Sequence, residues 1–581
     1  MMMEPKVERV DQIPIVIHWL TKMRIAPLID SIWHSHANWK GLSYGQLSVL
    51  FITYVIYSLN HRLSRMEEWV LDHKNVLEKI TGWTIHDKDA TDDRLGRLLE
   101  DLGENEHKIN KFQQENGKHI IQAYELPIKI VRYDTTSFNV YHEENEENKD
   151  LLNHGHSKDH RSDLLQFKQG VGVLDPAGIP LLSETLAGNR ADDPCYIPAW
   201  RSMVKTIGHS RFLYIADCKA AALETRATLS TEGGFYLFPL PRTGTIPDEL
   251  KRLVLEALDD DMLEMIYLHG EDELDENEDN PVIGKGFCVE KTIEYGMDNE
   301  KYSWQERWLV SRSNAHAERQ KNSLNERLKK AEKALSKLKQ KKGETIDVFQ
   351  HRANNILKKY GISNCITFHI EKEETTKKRY LKRGRPTENT PYEIITEVKF
   401  ILTFNRDDNA INEKKQLAGW RIYVSNVPEE RLSVATSVHY YRDEWIVERG
   451  MHRLKRGCLP TLPLFLKIPE RIKGLMMLLS IALQVITLIE FVVRRELAKE
   501  GESLQGLVPG QLSRKTKRPT TERLFHRFKQ LNCFIYERDG CLYGHLLEKL
   551  NPLQTRILHL LGLSPDIYDL SFELPALQKT G

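Results

Sequence analysis

The chain has 581 residues, more than a single hydrophobic core normally serves, so several domains are expected. Its 83 Lys and Arg balance 83 Asp and Glu, which excludes a uniformly basic protein but leaves room for local cationic clusters. The 7 cysteines form no CxxC pair and no zinc-type spacing, so neither a disulfide framework nor a zinc finger is indicated, and a reducing compartment fits.

From Val7 to about Glu115 the pattern is helical, with mixed apolar spacing over Ile13–Met23, Leu42–Leu59 and Arg94–Leu102. Asp92 and Asp93 are placed to cap the last of these, and His61-Arg62-Leu63-Ser64-Arg65 adds a basic patch. The region reads either as a helical scaffold or as a binding module. No helix-turn-helix pattern is clear enough to name recognition residues. The start of the chain carries no apolar signal segment.

Leu126–Tyr133 is rich in β-branched and aromatic residues and predicts a strand that ends in Asp134. His154, His156 and His160 follow. Their spacing is compatible with zinc, but no fourth ligand stands at a suggestive distance. A hairpin beside Asp134 is preferred, either with His156 or His160 near a phosphate or with purely structural histidines. Gly188-Asn189-Arg190 and Asp192 read as a strand exit and a helix cap. Arg211–Ala216 predicts a second short strand, followed by Asp217 and an Ala-rich helix start. Lys219, close by, reads as a surface lysine or a cation within reach of a polyanion. Both aspartates are therefore expected at carboxyl ends of strands, where open α/β sheets place their ligand sites.

The stretch from Asp217 to Glu448 is too long for a connection and must hold its own structure. Strand-like runs at Phe235–Phe238, Leu263–Leu268, Gly286–Glu290, Trp304–Val310, Ile366–Ile370, Ile394–Phe404 and Trp420–Val424 predict a mostly β insertion. Ala315–Lys342 interrupts it with a helical stripe of Leu324, Leu328, Ala331, Leu335 and Leu338, read as an exposed helical hairpin. The acidic stretch Glu271–Asp279 reads as a solvated loop. Lys377–Pro386 holds six cationic residues. Within it, Arg383-Gly384-Arg385-Pro386 resembles the core of an AT-hook, which lies in a narrow A·T minor groove; the plainer reading is a basic loop between strands. Either way the run, Lys382, Arg383 and Arg385 included, suits phosphate contact.

Tyr441–Lys455 reads as one helix, with Tyr441, Glu444, Glu448, His452 and Lys455 on a single face. Leu475–Val493 is long and apolar enough to span a membrane, but its interior Ser480, Gln484, Thr487 and Glu490 favour a buried helix. Beyond Arg495 a basic loop, Leu504–Pro519, precedes two expected helices. These are Glu522–Leu531, capped by Thr520 or Thr521, and Pro552–Leu561, with Gly562 as the stop.

Three converging carboxylates repel unless cations join them. Hard divalent ions prefer such oxygen ligands, and two of them about 3.5–4 Å apart can clamp an in-line phosphoryl displacement. Asp134, Asp217 and Glu448 resemble the acidic triad of DDE transposases of bacterial insertion sequences. Tyr441, Glu448 and Lys455 match the spacing of the tyrosine–arginine–glutamate–lysine signature, whose Arg position is Glu444 here. Gly155–Asp163, Gln166, Asp175–Pro180 and Gly188–Asp192 are similar to the second and third strands of that family's core.

The resemblance implies an α/β fold: an RNase H-like catalytic core interrupted by a mostly β insertion and flanked by helical N- and C-terminal regions. The implied divisions are 1–115 (transposon-end binding), 116–230 (first part of the core), 231–418 (insertion), 419–500 (second part of the core) and 501–581. It implies metal-dependent cleavage at element ends and strand transfer of the freed 3′-hydroxyl into target DNA. Asp134, Asp217 and Glu448 would hold two Mg²⁺ ions, with Mn²⁺ as a substitute. Tyr441, Lys455, His156, His160, Lys382, Arg383 and Arg385 would contact DNA. Transposon-end and target DNA are the expected partners, with a homodimer in the synaptic complex, no membrane, and a cytoplasmic, nucleoid-associated location. The alternatives are an inactive transposase-derived DNA-binding protein and an RNase H-like nuclease without strand transfer.

Overall fold

The computed structural model describes residues 5–36, 38–259, 263–268, 280–297, 300–381, 383–386, 388, 390–538 and 541–575. Lys382 and the acidic stretch 271–279 lie outside the described residues. The chain forms two compact units, one of Met1–Phe238, Thr292–Gln305 and His439–Gly581, the other of Pro239–Lys291 and Glu306–Val438.

The first unit begins with β1 (Lys6–Arg9) and the helices α1 (Ile13–Lys22), α2 (Ile25–Ile32), α3 (Tyr44–Ser58) and α4 (Leu63–Asp72). Next come α5 (Lys74–Thr81), α6 (Asp92–Gly103) and α7 (Glu106–Tyr124). Ser43 and Gln46 close a capping box on α3, satisfying amides its first turn would leave open. Thr91 is the N-cap of α6, with Asp92 and Asp93 one step inside, where their charge complements the helix dipole.

Strands β2 (Ile130–Val140), β3 (Leu165–Leu174) and β4 (Ile179–Ala187) form an antiparallel meander. Helix α8 (Tyr196–Ile207), β5 (Leu213–Ile215), α9 (Leu223–Thr231) and β6 (Phe235–Pro239) continue it, giving the run β4-β3-β2-β5-β6. β2 pairs parallel with β5 and β5 parallel with β6. Every residue of β3 is buried, as a strand covered on both faces requires.

The second unit contains α10 (Ile246–Asp259), β7 (Glu264–Tyr267), and most of β8 (Val282–Met297) and β9 (Glu300–Ser313). After them come α11 (Asn314–Ser336), α12 (Ile346–Lys359), β10 (Ile366–Tyr380), β11 (Tyr392–Arg406), α13 (Asp408–Gln416) and β12 (Trp420–Ser425). Leu324, Leu328, Ala331 and Leu335 of α11 pack with Ala353 and Leu357 of α12, so the expected stripe is the seam of a helical hairpin. Four long helical segments among these strands make the unit more mixed than the mostly β pattern of its strand-like runs.

The chain returns through α14 (Val434–Arg442) and α15 (Trp445–Lys455) to α16 (Pro469–Glu500). The single helix expected over Tyr441–Lys455 is thus two. At Asp443-Glu444 the backbone tightens to three-residue hydrogen bonds, Ile446 N–H to Asp443 O at 3.0 Å and Val447 N–H to Glu444 O at 3.2 Å. Helix α16 is long and apolar enough to cross a membrane, but 94% of its apolar stretch is buried inside the protein. It crosses α6 on glycines: a Cβ on Gly474 would stand 2.0 Å from Leu99 O, and one on Gly103 1.8 Å from Glu470 O. Gln484, mid-helix, accepts from Asn116 Nδ2 at 2.7 Å and donates to Pro180 O at 2.7 Å, so its buried amide is satisfied.

The C-terminal region, expected helical, is mixed. β13 (Leu504–Gln505) and β14 (Lys515–Thr516) pair, then α17 (Thr521–His526) ends sooner than the predicted helix. β15 (Asn532–Arg538), β16 (Cys541–Leu546) and β17 (Phe572–Pro575) build a sheet of order β1-β15-β16-β17, with α18 (Pro552–Leu560) before β17. Cys533 and Ile535 are buried while their neighbours are partly exposed, the period-2 signature that a helical reading overlooks.

Candidate active site

Asp134 lies inside β2 rather than at its end, a correction to the expected strand boundary. The parallel pairing with β5 nevertheless stops at Arg132↔Ile215, so Asp134 and Asp217 are each two residues beyond the last parallel pair. β2 runs on because β3 continues to pair with it as far as Val140↔Leu165. The two residues therefore leave adjacent strands at the same level, their backbones one strand spacing, about 5 Å, apart.

Asp134 Oδ1 accepts from its neighbour Thr135 N–H at 2.7 Å and from Lys158 Nζ at 2.9 Å. Burial raises its pKa above the usual carboxylate range and Asp217 adds repulsion, while Lys158 pulls the other way. Asp217 is the N-cap of the turn Cys218–Ala221, accepting from Lys219 N–H at 3.0 Å, and Tyr196 donates its hydroxyl to the same oxygen. That phenol is raised by burial and by Asp217.

Helix α15 packs on β2 and β3. It presents Glu448 as an exposed side chain in its first turn, with Glu444 partly buried at its N-cap. The Glu444 carboxyl is raised by burial, then by Asp134 and Glu448, with a smaller push from Asp217; a hydrogen bond from Tyr441 opposes them. Four carboxylates thus share one field. Among the described residues no three acidic, histidine or cysteine side chains are gathered as a ready-made metal cage.

Lys455, at the other end of α15, donates to Asp159 Oδ2 at 2.6 Å, and Asn139 Nδ2 donates to the same oxygen at 2.9 Å. This ties the helix to the loop that carries Lys158. His156 and His160 are exposed on that loop, and His160 has a φ of 57°. In the second unit, Arg383 and Arg385 are exposed in the connection between β10 and β11, with Gly384 at φ 135°.

Asp192, read from sequence as a cap, does stand at the N-cap of the short turn Asp193–Cys195, but its side chain makes no capping bond and is a buried hub. It accepts from Thr135 Oγ1 at 3.1 Å, Lys168 Nζ at 2.8 Å and Lys219 Nζ at 2.6 Å. Burial alone would raise this carboxyl, but the two lysines pull it down to about 2. A sequence signal for it was the lysine Lys168 in a strand that also holds Gln166 and Gln169, since a buried ammonium needs a carboxylate partner.

A family model described as "Transposase DDE domain" matches residues 126–485, most of the chain. The chain belongs to the DDE transposase family. The matched span takes in all four acidic residues of the site. Residues 5–112 of this transposase match a second model, described as a domain of unknown function (DUF4277). No curated protein matches. One solved structure, the "Cryo-EM structure of piggyBac transposase synaptic complex with hairpin DNA", is 8% identical. It covers 86% of this chain and 80% of its own, with a TM-score of 0.33, a level that carries no argument.

Proposed function

We propose that this transposase cleaves DNA at the ends of its element and joins the freed 3′ ends to target DNA, using a catalytic core of RNase H-like type. The observation that carries the proposal is the common level of Asp134 and Asp217 on adjacent strands, with Glu448 and Glu444 brought over them by α15.

The donor set fits divalent cations. It is all carboxylate oxygen; burial first, and neighbouring carboxylates after it, raise Asp134 and Glu444, and a cation would favour their charged forms. Asp134, Asp217 and Glu448 would hold the ions, Mg²⁺ or Mn²⁺. When bound, such ions polarise the scissile phosphate and stabilise charge on the entering and leaving oxygens.

The chain's own groups supply the rest. Lys158 neutralises Asp134 and, released from it, offers a cation to a DNA phosphate. Lys455 lies about 10 Å along the helix axis from Glu448, a distance that suits a neighbouring phosphate. Tyr441, hydrogen-bonded to Glu444, holds that side chain beside the acids. His156, His160, Arg383 and Arg385, all exposed, are candidate DNA contacts. A homodimer bridging two ends is the assembly this chemistry calls for.

Asp134→Asn, Asp217→Asn and Glu448→Gln should each abolish nicking of a duplex carrying the terminal inverted repeat, while gel-shift binding of that duplex is retained. Cleavage within about tenfold of wild type in any one variant removes that residue from the site. Nicking without strand-transfer products would mark a nuclease, and binding without nicking in Mg²⁺ or Mn²⁺ a DNA-binding descendant.

A further inference from the structure

The second unit carries a feature the cleavage chemistry does not use. β10 and β11 pair antiparallel over their whole length, from Ile366↔Arg406 to Tyr380↔Tyr392, as a separate two-stranded sheet. At about 3.4 Å per residue the ribbon is roughly 50 Å long. Its proximal part is anchored: Phe368, Leu402 and Phe404 pack on the α11–α12 seam. Gln340 brackets the middle, donating to Val398 O at 3.1 Å and accepting from Phe400 N–H at 3.0 Å. On β10 every residue from Glu371, beside that bracket, to Tyr380 at the far end is exposed. A two-stranded ribbon is marginal in water by itself, so a distal half as exposed as this among the described residues is suited to a partner.

The composition of the distal half specifies that partner. By the register, Lys378 and Tyr380 share one face with Ile394 and Tyr392, while Lys377 and Arg379 lie on the other, where Lys377 pairs with Glu397 at 2.5 Å and Arg379 stands opposite Glu393. Lys378 Nζ sits 4.3 Å from the centre of the Tyr392 ring, and Tyr380 packs edge-on against Tyr392 at 6.1 Å. Tyr380, Leu381, Tyr392 and Ile394 are 41%, 64%, 44% and 64% exposed. Arg383 and Arg385 follow in the connecting turn. From Lys377 to Ile394 the described residues carry five cations, Lys377, Lys378, Arg379, Arg383 and Arg385, against two acids, Glu388 and Glu393, an excess that suits a polyanion. A duplex groove has phosphates on both walls and base edges between them, and the major groove of B-DNA admits a two-stranded antiparallel ribbon.

We infer that the distal half of the β10–β11 ribbon is a DNA-binding arm that enters the major groove of a duplex, with Lys377, Lys378 and Arg379 on the phosphate walls and the Tyr380–Tyr392 pair facing the bases. This deepens the proposed function and rests on it for the presence of a duplex.

The test uses the full-length protein and fluorescein-labelled duplexes, one carrying the terminal inverted repeat and one scrambled, titrated at several salt concentrations. The combined variant Lys377→Ala, Lys378→Ala, Arg379→Ala is expected to bind at least tenfold more weakly. Its slope of log affinity against log salt should be shallower by about 2 to 3, at roughly 0.9 per lost phosphate contact. The charge-conserving variant Lys377→Arg, Lys378→Arg, Arg379→Lys should restore both, which separates lost contact from lost folding. Unchanged affinity and slope in the alanine variant would overturn the arm while leaving wild-type binding and nicking intact. Tyr380→Ser with Ile394→Ser should leave the molecular mass of the DNA-free protein unchanged; a lower mass would overturn the arm in favour of a contact between copies. Absence of duplex binding by the wild type would remove the arm and the transposase reading together.

Discussion

Lys158 and Tyr196 occupy the oxygens that a cation would need. The Lys158–Asp134 pair is partly exposed, at 37% and 17% of the two side chains. Such a pair contributes up to about 1 kcal/mol. Replacing Lys158 by Ala should therefore tighten Mn²⁺ binding, read by electron paramagnetic resonance, by up to about fivefold, because the ion no longer displaces an ammonium. Unchanged Mn²⁺ affinity would show that Lys158 does not compete at Asp134. Spacing exposes Asp134, Asp217 and Glu448 as candidates, because acids after apolar runs and on a helix face are local patterns; Glu444 enters the sequence reading on that helix face and in the signature's Arg position, not as a site residue. Lys158, Tyr196 and Asp192 join them through contacts between distant segments, so no local pattern gives them these roles.

At the scale of elements, the position of α15 depends on one buried carboxylate. Glu490 of α16 is 1% exposed and accepts from Arg449 at 2.6 Å, from Arg453, from Arg494 at 3.1 Å and from Thr521 N–H at 3.1 Å. Arg453 also pairs with Glu522 at 2.8 Å. Removing the central acid leaves three guanidinium groups partly uncompensated, which for buried pairs costs about 3–5 kcal/mol. Glu490→Ala should lower unfolding stability in urea by that amount. A loss under about 1 kcal/mol would mean that apolar packing, and not this network, holds α15 over the sheet. Sequence reasoning finds Glu490 as a polar residue in an apolar run and infers burial from it. Arg494, four residues on in the same helix, is a local pair; Arg449 and Arg453 approach from α15, and no pattern within α16 marks them. The break at Asp443-Glu444 is equally hidden, since a 3.6-residue pattern is unaffected when two helices meet nearly in phase.

Within the first unit, one buried carboxyl makes a contribution to the pH dependence of stability whose sign is defined. The Glu184 carboxyl of β4, hydrogen-bonded by Tyr133 at 3.2 Å, is pushed by burial up to about 7. Its folded pKa lies above its unfolded one, so the folded state holds a proton that the unfolded chain has released. The stabilisation is complete below about pH 4.5 and is lost as pH rises through about 7. Over that window the wild type should lose on the order of 2 kcal/mol relative to Glu184→Gln, measured as unfolding free energy at matched pH. Parallel curves for the two proteins would show that Glu184 titrates normally.

By itself the sequence determined the family, the order of the acids along the chain, the helical character of the N-terminal region, the α11–α12 seam and the burial of α16. All of these depend on composition, on motif spacing or on a period within one element. Only the tertiary structure decided that β2 continues past Asp134, that Asp134 and Asp217 stand level, that β1 joins a C-terminal sheet, and that β10 and β11 extend as a ribbon with cations on both faces. Each of those is a matter of register between strands that may be far apart in the chain, and register is set by hydrogen-bonded pairing across the sheet, which no single segment encodes.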